Sequence, residues 1–213
     1  MQVKAHILRD EKLEGWREQI VGRWTYRQLA ADPRWSKGWI SFDAVAFHPG
    51  DGAIYCGLNS IDGDLLYRFD PVSERFECME TKHQQDFGFC DSMAYDGDRY
   101  IYAGTVAGVL GRIDIETGRV EKVLNALSTC RFPALAVRSG VLYGAGGMHG
   151  ATQLLRWNTR SDDIELFSDL VDRSTGQRPA RIHELAVDGS GRVYLGENDN
   201  HERSSYLWSV VLD

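Results

Sequence analysis

The chain has 213 residues, 43% of them hydrophobic and 26% charged, with a formal net charge of -7. This is ordinary globular composition, long enough to bury one real core and too apolar for disorder. The acidic balance argues against nucleic acid or an anionic membrane surface as the main partner, because both favour a basic face.

In chain order, "MQVKAHILRDEKLEG" contains no apolar segment of the signal-peptide kind, and no later run reaches transmembrane length. A cytoplasmic location with no membrane partner is expected. Cys56, Cys78, Cys90 and Cys130 lie far apart with no CxxC spacing, which suits buried reduced thiols better than a zinc site. Within residues 1–8, Val3, Ala5 and Ile7 alternate with polar neighbours, the period of a strand. Residues 9–39 follow no repeat and read as an irregular or helical cap or linker.

From Phe42 onward one plan recurs. "FDAVAFHPGDGAIYCGL", "CDSMAYDGDRYIYAGT", "FPALAVRSGVLYGAG" and "IHELAVDGSGRVYLGE" each give a strand, a Gly/Asp/Ser turn, a strand with a central Tyr, then Gly. Val45, Met93, Leu135 and Leu185 mark the repeat, at steps of 48, 42 and 50 residues. Self-similarity at that period is the signature of propeller blades. After the first three hairpins, "LLYRFDPVSERFECM", "VLGRIDIETGRVEKV" and "QLLRWNTRSDDIELF" supply two further strands around an Asx turn. The expected fold is therefore all-β: one propeller domain over 1–213 with about four four-stranded blades, near 40–80, 89–125, 131–170 and 181–213. The last blade stops at "SSYLWSVVLD" without its outermost strand, and residues 1–8 can fill that place. Four blades make a small ring, so the chain reads as a closed small propeller, a fragment, or half of a ring completed by a second copy through its open edges.

In a propeller the first strand of each blade lines the channel, and its start shares a rim with the end of the second strand. Asp43, Asp91, Pro133 and His183 fall in one such column. Leu58, Thr105, Ala145 and Glu197 fall in the other. Oxygen donors suit hard cations, so Asp43, Asp91 and Glu197 are candidate ligands for Ca, Mg or Mn, the only cofactors the sequence suggests. His183 and His149 are candidate general bases, with Glu197 beside them. Asn59, Asp62, Asn198, Asp199 and His201 complete a polar rim able to hold a small-molecule ligand. Register decides whether His183 meets Glu197. A plain turn at Asp188–Gly191 puts His183 opposite Gly196, whereas a bulge at Gly191 reverses that.

"IHELAVDGSGRVYLGE" resembles the blade pattern of streptogramin lyase-like propellers and, more distantly, that of the gluconolactonase/regucalcin group. The resemblance implies roles for His183 and Glu197 in a metal-dependent elimination site. Two functions follow as expectations. One is a metal-assisted lyase or lactonase acting on a polar, carbohydrate-like small molecule. The other is a non-catalytic propeller scaffold that binds a ligand or protein partner, as half of a dimeric ring.

Overall fold

In the computed structural model the described residues are 2–7, 17–23, 42–58, 66–79, 90–125, 131–147, 151–168, 170–198 and 200–212. Every regular element among them is a strand. The first two are β1 (Gln2–Ile7) and β2 (Arg17–Arg23), which pair antiparallel with each other. Blade one contains β3 (Phe42–His48), β4 (Ala53–Leu58), β5 (Leu66–Asp70) and β6 (Arg75–Met79). Blade two contains β7 (Cys90–Tyr95), β8 (Tyr100–Thr105), β9 (Val109–Asp114) and β10 (Arg119–Asn125). Blade three contains β11 (Ala134–Arg138), β12 (Val141–Gly146), β13 (Gln153–Asn158) and β14 (Asp163–Phe167). Blade four has three strands, β15 (Ile182–Val187), β16 (Val193–Glu197) and β17 (Leu207–Val210).

Each sheet is a simple meander, with sequential strands as neighbours. Local chemistry sets the turns. Asp70 Oδ1 accepts the amides of Val72 and Ser73, Asp114 Oδ1 those of Glu116 and Thr117, and Asn158 Oδ1 those of Arg160 and Ser161. These three Asx turns occupy the same place in three blades and fix the outer hairpins. On the inner hairpins, Asp51 and Asp188 accept from a backbone amide two residues on and also from the hydroxyls of Tyr55 and Tyr194.

The repeat can now be read from strand pairing. Tyr55, Tyr102, Tyr143 and Tyr194 face Ala46, Ala94, Ala136 and Ala186. By that column the equivalent of Leu58, Thr105 and Glu197 is Gly146, one residue beyond the Ala145 expected from sequence spacing.

Packing runs along the chain. β3 touches β7, β7 touches β11, and β11 touches β15; among the described residues β15 makes no comparable contact with β3. The core is three separate layers, one between each pair of successive blades. Ala46, Tyr55 and Leu66 of blade one meet Cys90, Met93 and Ile101 of blade two. Ala94, Tyr102 and Leu110 meet Phe132, Leu142, Leu155 and Trp157. Ala134, Tyr143 and Leu154 meet Ile182, Val193 and Leu195.

Such stacking brings the next blade close to Gly57 and Gly104, at the position that blade three fills with Ala145. A Cβ on Gly104 would lie 2.5 Å from the Phe132 carbonyl oxygen and from Ser92 Oγ. Neither neighbour can retreat freely, so Gly104→Ala is expected to lose about 1–3 kcal/mol in urea denaturation. An unchanged midpoint would show that blades two and three do not pack at this distance.

Two expectations about the ends meet different outcomes. β1, expected as the missing strand of blade four, pairs with β2 instead, a partner close in sequence whose loop costs little entropy to close. Within residues 9–39, Arg17–Arg23 is a strand, and the rest lies outside the described residues. The free thiols of Cys56 and Cys90 are buried, and burial pushes the Cys56 thiol up to about 11.

Candidate functional site

The starts of β3, β7 and β15 and the ends of β4, β8 and β16 share one rim, as antiparallel pairing requires. Register there is settled by two irregularities. Val187 pairs with Val193, around a turn in which the Asp188 amide donates to the Arg192 carbonyl at 3.0 Å and Gly191 has φ +86°. The bulge at Gly191 alone would bring His183 opposite Glu197. A second shift lies between Ile182 and Glu184, so His183 is the extra residue and Glu197 faces Ile182. The same shift falls at Asp43 and Asp91. The column singled out in the sequence is therefore a column of bulges, a device that re-aims side chains at a strand start.

Glu197 is buried and fully engaged. Its Oε1 accepts from the Ala180 amide at 2.8 Å, Asn200 Nδ2 at 3.0 Å and Arg203 Nη2 at 3.0 Å. Its Oε2 accepts from Arg203 Nη1 at 2.8 Å, the Tyr206 amide at 2.9 Å and Trp208 Nε1 at 3.1 Å. Burial alone would raise its pKa. The Arg203 guanidinium, Asn200 and the two amides outweigh that and hold the carboxyl at about 2. Arg203 also lies 3.7 Å from the Tyr206 ring centroid and donates to the carbonyls of Ser204 and Arg178. The arrangement has a counterpart in blade two, where Thr105 Oγ1 accepts the Val109 amide at 3.1 Å. Thr105 and Glu197 do one job: each ties the end of the second strand to the start of the third. The longer arm of Glu197 suits the longer loop it spans.

Asp91 has a similar fate. Its side chain is buried, and Arg131 grips it with two hydrogen bonds, Nε to Oδ2 at 2.8 Å and Nη2 to Oδ1. Arg131 immediately precedes the first strand of the next blade, so this bidentate pair is a bond between blades two and three.

A resident cation does not fit these residues as they stand. Both carboxylates face a guanidinium, and the lone pairs of Glu197 are spent on six donors. Among the described residues no three His, Cys, Asp or Glu side chains converge. His183 donates nothing to Glu197, whose partners are those named above. Asn59, Asp62, His149 and Asp199 lie outside the described residues, as does the Asp43 side chain. Asn198 and His201 are exposed on the rim loop. His201 lines a polar cleft of about 670 Å³ with Arg178, Asn200, Glu202 and Arg203. A second cleft of about 600 Å³ runs beside β17, lined by Leu170, Pro179, Leu207, Trp208 and Val210 among others.

Sequence reasoning missed Arg131 and Arg203. The available signal was an arginine just before an inner strand and another six residues past Glu197. Nothing in the spacing says that each would reach back to a buried acid.

No protein-family model matches the chain, and no curated protein matches it. Solved structures do. The WD40 repeats of RRP9 align over 79% of this chain and 51% of their own, at 13% identity and a TM-score of 0.55. A chain of the mitotic checkpoint complex aligns over 78% and 46%, at 14% identity and 0.52. The computationally designed Ika4 protein aligns over 81% and 92%, at 16% identity and 0.52. The fold is a partial β-propeller. The chain spans about half the length of the RRP9 and mitotic-checkpoint-complex chains to which it is similar. At these identities the likeness concerns architecture alone. No helix among the described residues is long and apolar enough to cross a membrane.

Proposed function

We propose that the chain is a non-catalytic propeller scaffold that presents its rim loops to a ligand or protein partner. The observation that carries this reading is the state of Glu197. An acid with six hydrogen bonds, an arginine on both oxygens and a pKa of about 2 is ionised throughout the ordinary pH range, and no lone pair is left for a metal or substrate proton. Asp91 is likewise held by Arg131. The metal-assisted lyase or lactonase reading needs these groups free, and its His–Glu pair is not a cross-strand pair in this register. Similarity to WD40 propellers supports a scaffold at the level of fold.

The rim cleft is the surface offered. Arg178, His201 and Arg203 against Glu202 give it mixed polar character, suited to a polar ligand or a hydrated protein contact rather than an apolar one. Elemental analysis and thermal melts with Ca²⁺, Mg²⁺ and Mn²⁺ test the reading. No stoichiometric metal and no rise in melting temperature are expected. A bound ion lost in both Asp91→Asn and Glu197→Gln would overturn the scaffold reading in favour of metal-assisted chemistry.

A further inference from the structure

We propose that two copies of this chain close into one eight-bladed ring, blade four of each packing against blade one of the other. This deepens the scaffold reading and rests on it. The repeat supplies the observation. Leu66, Leu110, Leu154 and Leu207 occupy one position, paired with Gly57, Gly104, Ala145 and Gly196. The first three are 1%, 0% and 0% exposed, sealed by the following blade, whereas Leu207 is 74% exposed. Blade four thus carries the same face that three blades bury, with no further blade packed on it among the described residues.

The glycine column says the same independently. A Cβ at Gly57 would meet Cys90 Sγ, at the start of the first strand of the next blade, at 2.7 Å, and one at Gly104 would meet the carbonyl of Phe132, just before the first strand of the next blade, at 2.5 Å. At Gly196 the nearest atom is Glu184 Cβ of its own sheet, at 3.4 Å. Among the described residues no neighbouring first strand fills this cradle.

The complementary side is on the same chain. Met93 and Tyr95, Leu135 and Val137, and Leu185 and Val187 pack against the preceding blade. Their equivalents Val45 and Phe47 are 61% and 59% exposed. Farther out on that face Cys56 and Tyr67 are buried, so the open part is the inner one, next to the channel. The face of blade four and the open inner part of the blade-one face therefore carry the two complementary sides of an interface that the chain already makes three times. Joining each to its complement across one two-fold axis closes a ring and leaves neither open. One departure sits on the face: Glu184 replaces Ala44, Ser92 and Ala134, which keeps the edge of the joint wet.

Sedimentation of the 213-residue chain, with Leu207→Asp and Phe47→Asp, tests this. Wild type is expected at twice the 24.0 kDa chain mass. Each variant, folded by circular dichroism because its substituted side chain is exposed, is expected to associate at least about 100-fold more weakly, since each buries a charge at both joints. Mixed together, the two variants regain dimer, because one joint of the mixed ring then has both faces intact. A wild-type monomer, or variants that dimerise like wild type, or a mixture that stays monomeric, would overturn the proposal. These readouts are separate from the metal test: a dimer that binds a catalytic ion would sink only the scaffold reading, and a metal-free monomer only the ring.

Discussion

Replacing Glu197 by Gln is expected to lower stability by about 3–5 kcal/mol, among the largest effects of any single substitution in this chain. The reason is asymmetry. Glu197 has no exposed side-chain surface, and Arg203 is largely covered beside it. Removing the negative charge strands the guanidinium and leaves one acceptor atom turned into a donor facing the amides of Ala180 or Tyr206. A buried pair is worth little in total, but breaking it exposes the full desolvation cost of the remaining partner. The effect should depend on pH with a definite sign. The folded carboxyl titrates at about 2, below its ordinary value of 4.5, so the unfolded chain binds the proton first. Stability from this group is complete above about 4.5 and is lost as pH falls toward 2. Urea midpoints of wild type and Glu197→Gln are therefore expected to differ most at neutral pH and to converge in acid. A difference that persisted unchanged at pH 3 would assign the loss to shape rather than to charge.

The second large effect is expected at Trp157. This side chain is fully buried on β13, against Leu155 and the blade-two residues Tyr102 and Leu110, with its ring edge-on to Tyr102 at 5.2 Å. Trp157→Ala opens a cavity in the joint between blades two and three and is expected to lose about 3–5 kcal/mol. Trp157→Phe should cost much less. The indole Nε1 is buried without a hydrogen-bond partner, so removing it relieves an unsatisfied donor while keeping an aromatic ring. Chemical denaturation of both variants checks the pair. Equal losses would mean that the joint depends on the full indole and that a phenyl ring cannot replace it.

Much of this fold could be read in the sequence because a blade is a local object. Strand alternation, Asx turns at Asp70, Asp114 and Asn158, and the Tyr column all lie within hairpins, where sequence neighbours become spatial neighbours. The rim was less legible for a physical reason. Whether His183 meets Glu197 depends on two bulges, and the one between Ile182 and Glu184 leaves no local signature; the shared shift at Asp43 and Asp91 appears only once pairing is known. The partners of the acids were hidden for another reason. Arg131 reaches Asp91 from forty residues away, between blades, and Arg203 was one polar residue in a loop of several. The same carboxylate column therefore suggested metal ligands from sequence and clasps from structure. At the chain ends, β1 found its partner in Arg17–Arg23, a segment that carries no repeat pattern.

Seen this way, the four-blade unit is held by apolar layers between sheets and by two arginine–carboxylate clasps on one rim. The first clasp joins blades two and three through Arg131 and Asp91. The second ties the loop of blade four through Arg203 and Glu197, and so shapes the polar cleft beside it. A scaffold needs such fixed loops, because a surface that is already ordered loses less entropy on binding.

The most direct measurement is a double-mutant cycle on that second clasp, with Glu197→Gln, Arg203→Met and the two combined, read by urea denaturation at neutral pH. If Glu197 is a structural clasp, each single variant loses several kcal/mol, and the double variant loses little more than either alone, a coupling of at least about 1.5 kcal/mol. Additive losses, with Glu197 indifferent to Arg203, would contradict the account and return the carboxylate to the list of groups free for chemistry.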